Sequence, residues 1–153
     1  MNVLNYSLTA VIAYLGLFIG FILAITAKEE LKAGKKYFIF LQKVILLLIF
    51  IFLLLFIDLD YILVLLILAF IIVAVLKRRT KFNELPYIYI ILAVIFYLSS
   101  KKLNLFIIES SLIFLYGLPT GSLLTKRDKK ETVINILANI PFILIAIILF
   151  LIF

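Results

Sequence analysis

Apolar runs of about twenty residues, divided by short connectors rich in Lys and Arg, constrain this chain more than anything else in it. A hydrocarbon core of ~30 Å is crossed by a helix of about 20 apolar residues. The chain meets or approaches that length six times, over approximately 7–26, 37–57, 61–76, 84–98, 103–124 and 132–153. Hydrophobic residues make up 67% of the sequence and charged residues 15%. A soluble domain has about half and about a quarter, so water cannot be the main solvent of this chain. The expected fold is an all-α integral membrane protein, a compact bundle of six transmembrane helices forming one polytopic domain over residues 1–153.

Charge sets the expected orientation. Lys28, Lys32, Lys35 and Lys36 make the first connector basic, Lys77, Arg78, Arg79 and Lys81 the second, and Lys126, Arg127, Lys129 and Lys130 the third. The positive-inside rule assigns these three to the cytoplasm and both termini to the outside, as in a multi-pass protein of the cell membrane. Lys101 and Lys102 fall on the other side, outnumbered. Met1 to Ser7 carries no Lys or Arg and no A-x-A site follows the first apolar run, so the first span reads as retained. Tyr6, Tyr37, Tyr61, Tyr87 and Tyr97 fall near span ends, where an interfacial aromatic belt is expected. The net charge of +7 lies mainly in the connectors, so the expected partners are the lipid bilayer and anionic headgroups at the basic cytoplasmic loops. A membrane-protein partner or a homo-oligomer is the other expectation; nucleic acid is not one.

The chain has no Cys and no His, which removes thiolate nucleophiles, the usual Cys/His metal ligands and the commonest general acid–base. No catalytic residue, metal site or cofactor is predicted. What remains are polar residues inside the spans. Gly16, Gly20 and Ala24 repeat every four residues and form a small-residue stripe suited to close helix packing. Thr26 and Glu29 match a capping box, predicting a short interfacial helix that stops near Gly34. Gln42 and Lys43 lie in the second span, with Lys43 about 9 Å in, close enough for its ammonium to reach the headgroups. Asp58 and Asp60 turn the chain outside, and Asn83, Glu84 and Pro86 open the fourth span.

The fifth span holds the densest set. Glu109 sits about 9 Å from its outer end, beside Ser110 and Ser111. A carboxylate within hydrocarbon costs about 2.5–3.5 kcal/mol on insertion scales, so Glu109 is either a proton-exchanging group or a structural carboxyl bonded to a neighbouring helix. Gly117, Pro119 and Gly121 predict a broken helix, with Thr120 and Ser122 available to the freed carbonyls. In the sixth span Asn135 and Asn139 share a face and Pro141 frees the carbonyl of Leu137. The predicted cytoplasmic-side cluster is therefore Gln42, Lys43, Thr120, Ser122, Asn135 and Asn139. Spans one, five and six are expected on the packed polar side, and two and three mostly against lipid.

The stretch from Gly117 to Lys126, GLPTGSLLTK, is similar to the Gly-Ser-x-Pro-x-Gly…Lys segment of the bacterial membrane glycerol-3-phosphate acyltransferases. That family's later glycine-rich phosphate-binding motifs and its histidine have no counterpart here, so no residue role is carried over. The expected function is that of a non-catalytic subunit or scaffold of a membrane complex. A small-solute or proton-coupled carrier or channel using Glu109 and the cytoplasmic-side cluster is the alternative, and a lipid-modifying enzyme the second.

Overall fold

The computed structural model describes residues 2–56, 87–125 and 129–152, with side chains described except at 28–33, 87 and 129–131. The predicted third span, Asp58, Asp60, the second basic cluster, the Asn83–Pro86 helix start and Lys126–Lys130 lie outside these described side chains. Among the described residues every regular element is a helix: α1 Val3–Thr26, α2 Lys28–Phe56, α3 Tyr87–Ser99, α4 Leu103–Leu124, α5 Lys129–Leu137 and α6 Pro141–Ile152. Among the described residues four stretches are long and apolar enough to cross a bilayer: Val3–Thr26, Gly34–Phe56, Leu103–Leu124 and Thr132–Ile152. Residues 88–99 form a shorter apolar helix.

The closest contact in the fold joins α1 to α4. A Cβ placed on Gly16 would run into the carbonyl oxygen of Phe114, one on Gly20 into that of Leu118, and one on Gly121 into that of Leu17. At Gly117 it would lie 2.6 Å from the backbone nitrogen of Leu17. Dispersion between two backbones in contact, together with what hydrogen bonds they share, substitutes in lipid for the hydrophobic force that water supplies to soluble helices. Ser122 adds such a bond, its hydroxyl donating to the carbonyl of Gly20 at 2.9 Å. Positions 16 and 20 of α1 meet 114 and 118 of α4, so the two helices run parallel.

The other helices pack around this pair. Gln42 of α2 reaches Tyr116 and Thr120, while Lys102 donates to the carbonyl of Phe56 at 2.6 Å, so α2 runs antiparallel to α4. The ring pairs Tyr89–Tyr116 and Phe96–Phe106 set α3 antiparallel to α4 as well. Tyr6 meets Ala146 and Phe150 while Tyr14 meets Ile136 and Phe142, which makes the last segment antiparallel to α1. Leu and Ile side chains such as Leu8, Leu47, Leu55, Leu144 and Leu151 cover the outer surface, as lipid solvation requires.

Several expectations are corrected. The fifth predicted span is not broken between Gly117 and Gly121: α4 passes through Pro119 as one helix, and no glycine has a positive φ. The glycines are used for their missing side chain, not for their conformational freedom. The discontinuity lies in the sixth predicted span, where residues 138–140 form turns between α5 and α6. There Pro141 occupies the first position of α6, where its absent N–H is harmless, and the carbonyl of Leu137 accepts instead from Ile140 at 3.0 Å. Thr26 does not cap the second helix. Its hydroxyl turns back to the carbonyls of Ile22 and Leu23, both at 3.1 Å, so it ends α1, and Gly34 lies inside a continuous α2.

One further expectation fails for a reason of facing. Tyr6 is near a helix end but points inward and is fully buried, stacked on Phe150 at 4.2 Å, so it is no part of an interfacial belt. Helix α2 is mostly unburied, as expected of a lipid-facing span, and packs inward along one stripe, Gln42, Ile45, Leu46, Ile49 and Leu53.

Filling the seam should unfold the pair. Gly16→Leu or Gly121→Leu is expected to cost about 1–3 kcal/mol or more, because the obstacle is backbone that no rotamer change relieves. At Gly34 a Cβ would meet only the Phe38 ring, at 3.3 Å, so Gly34→Ala should alter stability by no more than about 1 kcal/mol. Denaturant titrations of the three variants in one detergent check both.

Candidate functional site

Hydrogen bonding sorts the polar side chains of the spans into two groups. The first group is consumed by the fold. Ser110 and Ser111 both donate to the carbonyl of Ile107, at 3.0 and 2.8 Å, a backward bond within their own helix. Ser122 bonds Leu118 as well as Gly20, and Asn139 donates through Nδ2 to the carbonyl of Asn135 at 2.8 Å. Gly16, Gly20, Gly117 and Gly121 form the α1–α4 seam, and Ala24 is buried further along the same helix.

The second group forms a small layer between α2 and α4. Gln42, buried, donates from Nε2 to the Tyr116 hydroxyl at 3.2 Å and to Oγ1 of Thr120 at 3.0 Å, and Thr120 donates in turn to the Tyr116 carbonyl at 2.8 Å. Tyr89 of α3 packs its ring on Tyr116 with centroids 6.0 Å apart. Oε1 of Gln42 has no hydrogen-bond partner. The predicted cytoplasmic-side cluster is thus only partly assembled. Gln42 and Thr120 meet; Ser122 turns to α1, Asn139 bonds the Asn135 carbonyl, the Asn135 side-chain amide nitrogen has no partner, and Lys43 is exposed where its neighbour Gln42 is buried.

Tyrosines supply what the sequence reading missed. Tyr116 completes the Gln42 layer, and Tyr14 donates to the carbonyl of Ile136 at 2.6 Å. Tyr6 donates to that of Ala146 at 3.1 Å. The signal was helical spacing: Tyr116 lies four residues before Thr120, and Tyr6, Ala10, Ala13 and Leu17 mark one inward stripe of α1.

Those bonds decide what the discontinuity can do. The carbonyl of Ile136 accepts from both Tyr14 and the Asn139 amide, that of Leu137 from Ile140, and that of Asn135 from the Asn139 side chain. The amides of Phe142 and Ile143 are taken by Asn139 and Ile140. A broken membrane helix binds an ion or solute through backbone groups left free at the break; here these groups are used internally.

Glu109 stands apart. Its side chain is 0% exposed, and neither carboxyl oxygen has a hydrogen-bond partner. The nearby groove of about 380 Å³ between α1 and α4 is lined by Thr9, Ile12, Ala13, Ser110, Ser111, Phe114 and Leu115, and Glu109 is not among them. No group of three or more acidic residues able to hold a metal occurs among the described residues. No protein-family model, curated protein or solved structure matches the chain.

The Gln42 layer should behave as helix–helix adhesive. Gln42→Leu and Thr120→Val, combined in a double-mutant cycle, should give a coupling of ~0.6 kcal/mol, the usual worth of an interhelical bond in a membrane. Denaturant titration in detergent reads it; zero coupling would mean the two side chains do not meet.

Proposed function

We propose that this is a six-crossing integral membrane protein of non-catalytic role, a subunit or scaffold within a membrane complex. The observation that carries this reading is the use of its polar side chains. Ser110, Ser111, Thr120, Ser122, Tyr6, Tyr14 and Asn139 all donate to backbone carbonyls, within their own helix or on a neighbour. A solute pathway needs groups that can exchange protein partners for a passenger, whereas these hold the helices to one another.

The count of six crossings is supported by direction. Helices α2 and α3 both run antiparallel to α4. The carbonyl of Phe56, at the end of α2, is level with Lys102 at the start of α4, while Tyr89, near the start of α3, is level with Tyr116. The apolar run read from the sequence at 61–76 fits a further crossing between α2 and α3. Six crossings, with the positive-inside rule, assign both termini to one face and the three basic connectors to the other.

Lipid-modifying chemistry loses its structural basis, because Gly117 and Gly121 pack against α1 and do not open a phosphate-binding loop. The carrier alternative loses Lys43 and the two serines and retains Glu109, the Gln42 layer and the unpartnered Asn135 amide nitrogen.

The absence of native cysteine permits a direct test. Ser122→Cys and Asn139→Cys, each buried, should stay unlabelled by a membrane-impermeant thiol reagent applied to either side of intact membranes. Labelling at both positions, blocked by a solute, would replace the scaffold reading with a carrier.

A further inference from the structure

We propose that Glu109 is a reversible proton-binding site, whose ionisation opens α2 from α4 while the α1–α4 pair stays closed. The proposal is independent of whether the protein works as a scaffold.

The residue is singular in the sequence. Of the acidic residues, Glu29, Glu30, Asp58, Asp60, Glu84, Asp128 and Glu131 lie in or beside connectors, and Glu109 alone lies well inside an apolar run. It is also singular in the structure, since a fully buried carboxyl would ordinarily be held by a cation or a hydrogen-bond donor and this one has neither bonded to its oxygens. The serines beside it are turned away to the Ile107 carbonyl. A proton is the occupant that fits, because it needs no cavity and cancels the charge. A metal ion or an organic ammonium would need both room and further ligands.

The charged groups of the neighbouring helices do not reach the site. From α1 the titratable side chains are Tyr6 and Tyr14, both donating to carbonyls of the last segment. Helix α3 brings Tyr89 and Tyr97, and α4 itself Tyr116, all phenols. On α2, Lys35, Lys36 and Lys43 are exposed, and Gln42 is the inward polar group. Lys101 and Lys102 lie exposed at the α3–α4 turn, the first over the Tyr97 ring and the second on the Phe56 carbonyl. An ionised Glu109 therefore finds no described countercharge and has to gain water.

Among the described helices, the softest route is the α2 side. On the α1 side the backbones touch at four glycines. On the α2 side the described polar ties are the Gln42 layer and the Lys102–Phe56 bond, at opposite ends. Glu109, seven residues before Tyr116, shares its face of α4, and counting residues between the two ties puts it about level with Ile49. Between those ties only apolar side chains separate α2 from α4.

Infrared spectroscopy of the full chain in lipid, prepared with and without carbon-13-labelled glutamate, tests this. At about pH 7 connector glutamates are ionised, so a protonated glutamate carbonyl band at that pH belongs to a sequestered group. The proposal expects such a band in the native protein, shifted by the label, moved by D₂O, lost reversibly as pH is raised, and missing from Glu109→Gln. It further expects Ile49→Cys to gain thiol reactivity over the same pH interval, with Gly20 backbone amide exchange unchanged. No protonated band, a band indifferent to D₂O and pH, or a band that persists in Glu109→Gln would each overturn it. Should Glu109→Gln fail to fold, the labelled native protein still decides, through the pH and D₂O responses.

Discussion

Direct backbone contact between α1 and α4, permitted only where Gly16, Gly20, Gly117 and Gly121 carry no side chain, is the constraint on which the other packing depends. Lipid tails are as apolar as Leu, so burying more leucine would not have joined these helices. Close approach brings many atom pairs into dispersion contact and lets the Ser122 hydroxyl reach the Gly20 carbonyl. Once the pair is set, α1 presents Tyr6 and Tyr14 to the last segment and α4 presents Tyr116 and Thr120 to α2. Two parallel helices thus become a platform with a different neighbour on each side.

The second governing condition is that no backbone polar group can go unpaired in hydrocarbon. It explains the tyrosines. A proline at position 141 interrupts the last segment, and the interruption would be costly if its carbonyls faced lipid. Tyr14, Asn139 and Ile140 supply the donors, so the turn at 138–140 is held from α1 across the bundle. Pro119 meets the same condition differently, itself buried within an unbroken helix. Gln42 Oε1, the Tyr89 hydroxyl and Asn135 Nδ2 are buried without a partner, and Glu109 is the one ionisable carboxyl in that state among the described side chains.

Span positions were legible because hydrophobic length is a one-dimensional property: the predicted 103–124 coincides with Leu103–Leu124. The small-residue stripe was legible too, since four-residue spacing fixes a helix face without knowledge of the partner. What could not be read was the partner. Nothing in the local sequence says that Gly117 and Gly121 face Gly16 and Gly20, so the same residues looked like a break. Facing also decided Lys43 and Gln42, adjacent in sequence, the first exposed and the second buried. Tyr6 was misassigned for the reverse reason: proximity to a helix end was visible, and the inward direction depended on Phe96 and Phe150 far along the chain.

The parallel α1–α4 pair is the claim from which the rest follows, and cross-linking addresses it most directly. Ile12 and Ser111 line one groove, so cysteines at these two positions should be joined by a short bis-thiol reagent in native membranes. Cysteines at Ile22 and Ser111, about 15 Å further apart along the helix axis, should not be joined. Failure of the first pair together with efficient joining of the second, as an antiparallel arrangement would give, would contradict the account.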